Sequence, residues 1–193
     1  MIDFMMAIVV YFYHCSNYKK IIKQILTEYF FYEGEESMKK EGLKVAFVAS
    51  SGGHLEELSK LREIEKLYDC FLVTEKSDFL INDFCERKYL VPKMSRKQLV
   101  FIPKFIWLFA RTIRILLMEK PDFVITTGAL IAYPFCVVGK FMGIKIIYIE
   151  SFARVDQPSL TGKLVYNLSD LFMVQWEDML NRYPKSMLGG DLF

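Results

Sequence analysis

The chain has 193 residues, 53% of them hydrophobic and 16% aromatic, which suits one core of ordinary size and leaves too few residues for two full domains. Its 25 basic and 23 acidic residues nearly balance, so the net charge of +2 says little about partners, but the charges are unevenly distributed. Residues 87–120 hold nine basic residues and one acidic residue. Because this segment is also apolar, it favours contact with an anionic membrane surface over nucleic acid, and no nucleic-acid partner is expected.

Residues 1–42 form a predicted helical, membrane-associated extension. An apolar and aromatic run at residues 4–13 is about half of the ~20 residues that a spanning helix needs. Isoleucines at positions 21, 22 and 25 recur at helical spacing beside lysines at 19, 20 and 23, which is typical of a helix lying along a membrane interface. A different interpretation is that the protein starts at Met38, because the residues before it add nothing to the pattern that follows. The sequence leaves both interpretations open.

From residue 43 onward, apolar runs of strand length alternate with segments of helical periodicity. The predicted strands are residues 44–49, 70–74, 88–91, 123–126, 145–149 and 171–174. Apolar spacing predicts one helix over residues 55–67 and another over residues 129–142, with Gly143 at its end. This alternation indicates right-handed crossovers. The predicted fold class is α/β: a single Rossmann-like, doubly wound parallel sheet over residues 43–193, preceded by the amphipathic extension.

Residues 99–118 predict a long amphipathic helix. Their internal charges make a transmembrane assignment costly. On a helix, the basic side chains Lys104, Arg111 and Arg114 share one face. The other face holds Ile106, Phe109, Ile113 and Leu116. One interpretation is membrane contact through Lys104, Trp107, Arg111 and Arg114; the other is an ordinary crossover helix packed on the sheet, and both can hold together.

Polar residues follow four of the predicted strands at the points where those strands end. Ligands of open α/β sheets bind beyond these carboxyl ends, so we expect the side chains to line one site. They are Ser50, Ser51, Gly52, Gly53 and His54 after the first strand, Thr127 and Gly128 after the fourth, Glu150 and Ser151 after the fifth, and Gln175 and Trp176 after the sixth. The glycine pair admits a close ligand, and the helix start beyond it suits an anionic or polyhydroxyl group. The loop matches neither G-x-G-x-x-G nor the P-loop pattern, which disfavours a dinucleotide or nucleoside triphosphate.

Two titratable residues at this edge are candidates for acid–base chemistry. At a helix start, His54 would have a lowered pKa and a neutral imidazole able to accept a proton; the alternative is a structural histidine that hydrogen-bonds its own loop. Glu150 ends an apolar strand, where a carboxylate is costly unless it serves a ligand or a salt bridge, with Arg154 as the nearest partner. The sequence has no His-Glu-x-x-His, Cys/His cluster or Asp-x-Asp pattern, so neither a metal ion nor another cofactor is implied.

Four segments in order resemble the Alg14 family and its bacterial relatives of the PssD and CpsF type in capsule and exopolysaccharide synthesis. The segments are residues 45–55 (VAFVASSGGHL), residues 120–128 with KPD at the start and TTG at the end, residues 149–155 (IESFARV) and residues 170–176 (DLFMVQW). The resemblance covers residues 43–193. It implies the N-terminal, acceptor-side half of a GT-B glycosyltransferase of the MurG kind.

The same resemblance implies a heteromeric enzyme in which this chain is inactive alone. The partner would be an Alg13-like or PssE-like subunit with the nucleotide-sugar site, and the complex would act at the cytoplasmic face of the cell membrane on a polyprenyl-diphosphate-linked sugar. The Gly52-Gly53-His54 loop would face the acceptor, and Glu150 would lie in the cleft between the subunits. The remaining predicted acceptor-binding residues are Ser50, Ser51, Thr127, Gly128, Ser151 and Arg154. Whether His54 or Glu150 is the base stays open, and the alternative function is a non-catalytic membrane scaffold that recruits and activates the catalytic subunit.

Overall fold

The computed structural model describes residues 22–23, 42–77, 84–94 and 101–189. Within these residues, seven parallel strands form one sheet. They are β1 Lys44–Ala49, β2 Asp69–Glu75, β3 Arg87–Val91, β4 Phe123–Thr126, β5 Lys145–Ile149, β6 Leu171–Val174 and β7 Met187–Leu188. The order across the sheet is β3-β2-β1-β4-β5-β6-β7, so the direction of winding reverses between β1 and β4. The predicted fold class and the six predicted strands are confirmed; β7 was not predicted.

Both faces of the sheet are covered, which explains why its strands are continuously apolar. Along β1, alternate residues enter different core clusters: Val45, Phe47 and Ala49 lie in one, and Ala46 and Val48 lie in the other. All five side chains are fully buried. The period-two alternation of a strand therefore supplies both cores at once.

The predicted helix over residues 55–67 is wrong in its continuity. The structure has two short helices instead, α1 Gly53–Ser59 and α2 Arg62–Glu65. The bonds around the break, such as Leu61 N to Leu58 O and Ile64 N to Leu61 O, span three residues. Leu58, Leu61 and Ile64 all reach the core, whereas Leu67, whose amide makes the same three-residue bond to Ile64, is half exposed.

The remaining helices are α3 Phe101–Glu119, α4 Ala132–Phe141 and α5 Leu160–Val165, and a 3-10 helix spans Glu177–Asn181. The predicted long helix over residues 99–118 is confirmed as α3. It packs on the sheet through Leu108, Thr112, Ile115, Leu116 and Glu119. Across the described residues, no helix combines the length and apolar character needed to cross a bilayer.

The predicted apolar face of α3 does not pack as one unit. Leu116 is buried and Phe109 is half-buried, but Ile106 is 65% exposed and Ile113 is 43% exposed. The sheet contacts a narrower stripe of the helix than the apolar positions occupy. The outer surface of α3 consequently carries exposed apolar side chains.

One residue of the predicted N-terminal extension belongs to the core. Ile22 is fully buried in the cluster that contains Leu43, Ile64 and Phe84, whereas Lys23 is exposed. Gly42, the last extension residue, is exposed. Residues 1–21 and 24–41 lie outside the described part of the chain, so the boundary between residues 42 and 43 and the interfacial helix stay predictions.

Candidate active site at the carboxyl edge of the sheet

The loops after β1, β4 and β5 meet at the carboxyl edge of the sheet. β4 pairs with both β1 and β5, which places its loop between the other two. The hydroxyl of Thr127 donates a 2.7 Å hydrogen bond to the backbone oxygen of His54. The structure therefore brings the first two predicted groups of site residues into direct contact.

The loop after β4 turns sharply at Gly128. The backbone there has φ of +103°, followed by +70° at Ala129. A Cβ at Gly128 would lie 2.6 Å from the hydroxyl of Tyr148, so both the backbone conformation and the close approach require glycine. Tyr148 in turn lies 3.3 Å from the hydroxyl of Ser159. Tyr148 of β5 is thus packed between the turn at Gly128 and Ser159.

The glycine pair after β1 is open. A Cβ at Gly52 or Gly53 would meet no atom within 4 Å, and both residues are exposed beside half-buried Ser50 and Ser51. This loop leaves room for a ligand to approach the backbone closely.

His54 has a buried ring nitrogen with no partner. Among the described residues, no group hydrogen-bonds its Nδ1 atom. Burial lowers the pKa of the imidazole below its ordinary 6.5, and the positive charge of Arg154 lowers it further, while the Thr127 backbone acts in the opposite direction. A neutral imidazole with a free nitrogen can accept a proton.

Glu150 is enclosed by the protein. Its side chain is 1% exposed. Its Oε2 atom accepts hydrogen bonds from the Tyr183 hydroxyl at 3.0 Å and from the Ser159 amide at 3.3 Å. The expected ion pair with Arg154 does not form within the described residues, where these two neutral donors hold the carboxylate instead. Glu150 and Ser151 follow β5 as predicted, but the carboxylate of Glu150 points toward Tyr183 and Ser159.

A buried carboxylate that the sequence interpretation missed lies beside the loop after β5. Glu57, on α1, is 4% exposed. Its Oε1 atom accepts hydrogen bonds from the Ser151 hydroxyl at 2.9 Å and the Phe152 amide at 3.0 Å. Its Oε2 atom is buried without a partner among the described residues. The sequence gives one indication of this role: Glu57 lies three residues after His54, which places both side chains on one side of a helix.

Gln175 and Trp176, the polar residues after β6, hydrogen-bond the backbone at the end of β5 and in the loop that follows it. Gln175 Nε2 donates to the backbone oxygen of Glu150 at 3.0 Å, and Trp176 Nε1 donates to the backbone oxygen of Phe152 at 2.7 Å. The rings of Phe152 and Trp176 lie 4.8 Å apart. These residues reach the predicted edge, where they bind protein backbone.

The predicted membrane-contact residues lie along α3. Trp107 is 47% exposed, Arg114 is exposed, and Lys104 and Arg111 are half-buried. Large apolar side chains cover the outward surface between them: Ile102, Ile106, Ile113, Leu117 and Met118. Aromatic contacts of Phe105 and Phe109 with Tyr133 join the first half of α3 to α4. These apolar residues, Trp107 and the three cations together form the outer face of α3.

No group of three His, Cys, Asp or Glu side chains placed to hold a metal ion occurs in the part of the chain that the structure describes. The expectation of chemistry without a metal or cofactor stays a prediction.

Sequence comparisons agree with the motif pattern. The family described as "Oligosaccharide biosynthesis protein Alg14 like" matches residues 92–192. The UDP-N-acetylglucosamine transferase subunit ALG14 of Mus musculus is 30% identical over 186 residues, covering 78% of this chain and 83% of that protein. The subunit of the same name from Schizosaccharomyces pombe is 30% identical over 161 residues, covering 70% and 77%.

Solved structures share the fold at low identity. Acinetobacter baumannii MurG superposes with a TM-score of 0.57 at 16% identity, covering 70% of this chain and 42% of that chain. The UDP-N-acetylglucosamine 2-epimerase from Rickettsia bellii gives a TM-score of 0.62 at 16% identity, covering 79% and 46%. This chain therefore spans less than half the length of either structure, and the likeness concerns the fold alone.

Proposed function

This chain belongs to the Alg14 family, and from that membership we propose that it is the acceptor-side subunit of a two-component glycosyltransferase. The similar mouse and fission yeast proteins are named as subunits of a UDP-N-acetylglucosamine transferase. A UDP-sugar is therefore the expected donor, and an Alg13-like or PssE-like subunit that binds it is the expected partner. The observation that carries the proposal is the imidazole of His54 next to the open glycine loop: its pKa is held below 6.5, and its buried Nδ1 atom has no partner among the described residues.

The proposed reaction needs one proton acceptor. The acceptor hydroxyl oxygen attacks the anomeric carbon of the sugar, a new carbon–oxygen bond forms, and the bond from that carbon to the UDP oxygen breaks. His54 takes the hydroxyl proton, and the bonding pair leaves with UDP. Glu150 is the less suitable base because Tyr183 and Ser159 already bind its enclosed carboxylate. We assign Glu150 the role of fixing the loop after β5.

The proposed acceptor is a polyprenyl-diphosphate-linked sugar. Its diphosphate needs donors and positive charge, which the open backbone of the glycine loop and the exposed guanidinium of Arg154 can supply. The proposed contact set is Ser50, Ser51, Gly52, Gly53, Thr127, Gly128, Ser151 and Arg154. The hydroxyls of Thr127 and Ser151 already bind protein groups, so their part is to shape the site.

The proposed location is the cytoplasmic face of the cell membrane. The outer face of α3 supports it, because exposed isoleucines and leucine lie beside Trp107, Lys104, Arg111 and Arg114. Apolar bulk with a basic edge suits a bilayer that carries anionic headgroups. The biological setting that we propose is capsule or exopolysaccharide synthesis of the PssD and CpsF type, with this chain inactive on its own.

A second candidate function is a non-catalytic membrane scaffold that recruits and activates the donor-binding subunit. The outer face of α3 favours it, since membrane docking through that helix does not depend on the chemistry of His54. In that case all reacting groups lie on the partner.

Substitution at His54 separates the two functions. The chain and its partner subunit are produced together in membranes, and sugar transfer from UDP-N-acetylglucosamine to a polyprenyl-diphosphate-linked acceptor is measured. A lost general base lowers turnover by about 100- to 10,000-fold, so His54→Gln is expected to lose activity on that scale. Glu150→Gln should retain more activity, because an amide oxygen can still accept the bonds from Tyr183 and Ser159.

The matched control is Lys66→Gln, an exposed change near the start of β2, at the opposite edge of the sheet. It should leave transfer unchanged, and co-purification with the partner should be equal in all three variants. Full activity of His54→Gln would remove the base assignment. The scaffold function is supported if the partner nevertheless leaves the membrane when this chain is absent.

A further inference from the structure

The buried carboxylate of Glu57 connects two parts of the site that are remote in sequence. It lies on α1, one helical turn after His54, and accepts both the Ser151 hydroxyl and the Phe152 amide on one oxygen. Those donors belong to the loop that follows β5, although β4 lies between β1 and β5 in the sheet. Glu57 therefore ties the helix of the proposed base to the neighbouring loop.

That loop carries the charge that acts on the base. Arg154 comes two residues after Phe152, and its amide donates to the backbone oxygen of Ser151 at 2.9 Å. Its positive charge is one of the causes that lower the pKa of His54. The Ser151 hydroxyl lies 3.4 Å from the amide of Ala153, so the group bound by Glu57 also contacts the turn that leads to Arg154.

We propose that Glu57 is a positioning residue, which holds the loop after β5 so that Arg154 stands beside His54 and the diphosphate of the acceptor. The assignment rests on the proposed function, in which His54 is the base. The positioning role uses only Oε1, the carboxyl oxygen that accepts both hydrogen bonds. It needs no charge on the carboxyl group, because Oε2 binds nothing among the described residues. Burial, and secondarily the nearby charge of Glu150, raise the pKa of Glu57, although its two hydrogen bonds oppose this.

The sign of a pKa change at His54 tests this role without any transfer assay. The groups that act on the imidazole of His54 are Arg154 from the loop after β5 and the backbone of Thr127 after β4, and the carboxylates on its own helix are Glu56 and Glu57. Loss of a carboxylate alone would lower the pKa of His54 or leave it unchanged. Release of the loop would raise it, because Arg154 moves away and the ring gains water.

The experiment is an NMR titration of the His54 imidazole in the full-length chain. We expect the pKa of His54 to rise toward 6.5 in Glu57→Ala and not to rise in Glu57→Gln, whose side-chain oxygen still accepts both bonds. Glu56→Ala is the matched control, since it removes an exposed carboxylate from the same helix. If Glu57→Ala fails to fold, Ser151→Ala removes one of the same bonds from the loop side and must shift the pKa upward.

Kinetics of the assembled complex give the second arm. Misplacement of a reacting group by about an ångström costs roughly 100-fold, so Glu57→Ala should lower kcat by about 10- to 100-fold and raise KM for the lipid-linked acceptor. Glu57→Gln should stay within about threefold of the parent, and Glu56→Ala should match it. A downward or absent shift at His54 in Glu57→Ala, or equal impairment by alanine and glutamine, overturns the positioning role. If the parent complex transfers no sugar, the proposed function fails, while the NMR result still decides whether Glu57 positions the loop.

Discussion

At the scale of single residues, Gly162 shows how tightly the carboxylate of Glu150 is enclosed. A Cβ at Gly162 would overlap Glu150 Oε2 and lie 2.6 Å from the Tyr183 hydroxyl. Overpacking of this kind costs about 1–3 kcal/mol, and we expect Gly162→Ala to destabilise the fold by that amount, although alanine is the better helix former. Denaturant unfolding measures the change, with Gly42→Ala as control because nothing lies within 4 Å of a Cβ there. Equal stability of the two variants would contradict the closed packing.

His54 belongs to the same scale, and its protonation sets the pH dependence of the proposed reaction. The base works when neutral, and the folded protein holds its pKa below the ordinary 6.5. We therefore expect kcat/KM to decline as the pH falls, with the midpoint of the decline below pH 6.5. Arg154→Gln removes one of the lowering causes, so the decline should move to higher pH, though by less than burial contributes. A midpoint at or above pH 6.5 in the parent contradicts this account.

The residues of the site also show which assignments the sequence supports. Glu150 stands at the end of an apolar strand and His54 at the start of the helix that follows another, and local pattern alone draws attention to both positions. Glu57 has no such mark, since its burial comes from contact with Ser151, 94 residues further along the chain. The partners of Glu150 were missed for the same reason, because Tyr183 lies 33 residues away. Long-range contacts of this kind have no signature in local periodicity.

At the scale of elements, α3 presents an apolar surface outward. Ile106 and Ile113 are 65% and 43% exposed, beside the cations of the outer face. We expect the double change Ile106→Gln, Ile113→Gln to weaken binding to vesicles containing anionic lipid by tenfold or more, since burying one such side chain contributes about 1.5–3 kcal/mol when complete. Arg114→Gln should weaken binding less, by about 1 kcal/mol. Co-sedimentation with vesicles measures both.

The control for α3 is Leu67→Gln. Leu67 is 50% exposed and follows α2, which packs on the other face of the sheet through Ile64. Its replacement removes a similar apolar area from a surface that the membrane proposal does not use. Equal vesicle binding by the α3 double variant and the parent would show that the outer face of α3 serves another partner.

Elements with a strong apolar pattern were predictable, and the exceptions have physical causes. The strands beginning at Lys44 and Lys145 are runs of β-branched and aromatic residues buried on both faces, which periodicity detects well. β7 has two residues, Met187 and Leu188, and forms only through pairing with Met173 and Val174 of β6. The break between α1 and α2 is not visible in the apolar spacing of residues 55–67, which is also that of a continuous helix.

At the scale of the whole molecule, the sheet presents its features on separate surfaces. The carboxyl edge holds the proposed base and the open glycine loop, and the face covered by α3 holds the apolar surface proposed to meet lipid. The opposite face receives Ile22, which is fully buried in the same cluster as Leu43, Ile64 and Phe84. A residue well before β1 thus contributes to the domain core, which bears on whether the residues before Met38 belong to the working protein.

Removal of this contact gives the last prediction. Replacing a buried isoleucine by alanine costs about 2–5 kcal/mol, so Ile22→Ala should lower the free energy of unfolding by an amount in this range. Lys66→Gln, a change at an exposed position after α2, should change it by no more than about 0.5 kcal/mol. A chain that starts at Met38 should lose at least as much stability as Ile22→Ala, as measured by urea unfolding of each variant. If the shortened chain is as stable as the parent, Ile22 is dispensable to the core and the interpretation that the protein starts at Met38 gains support.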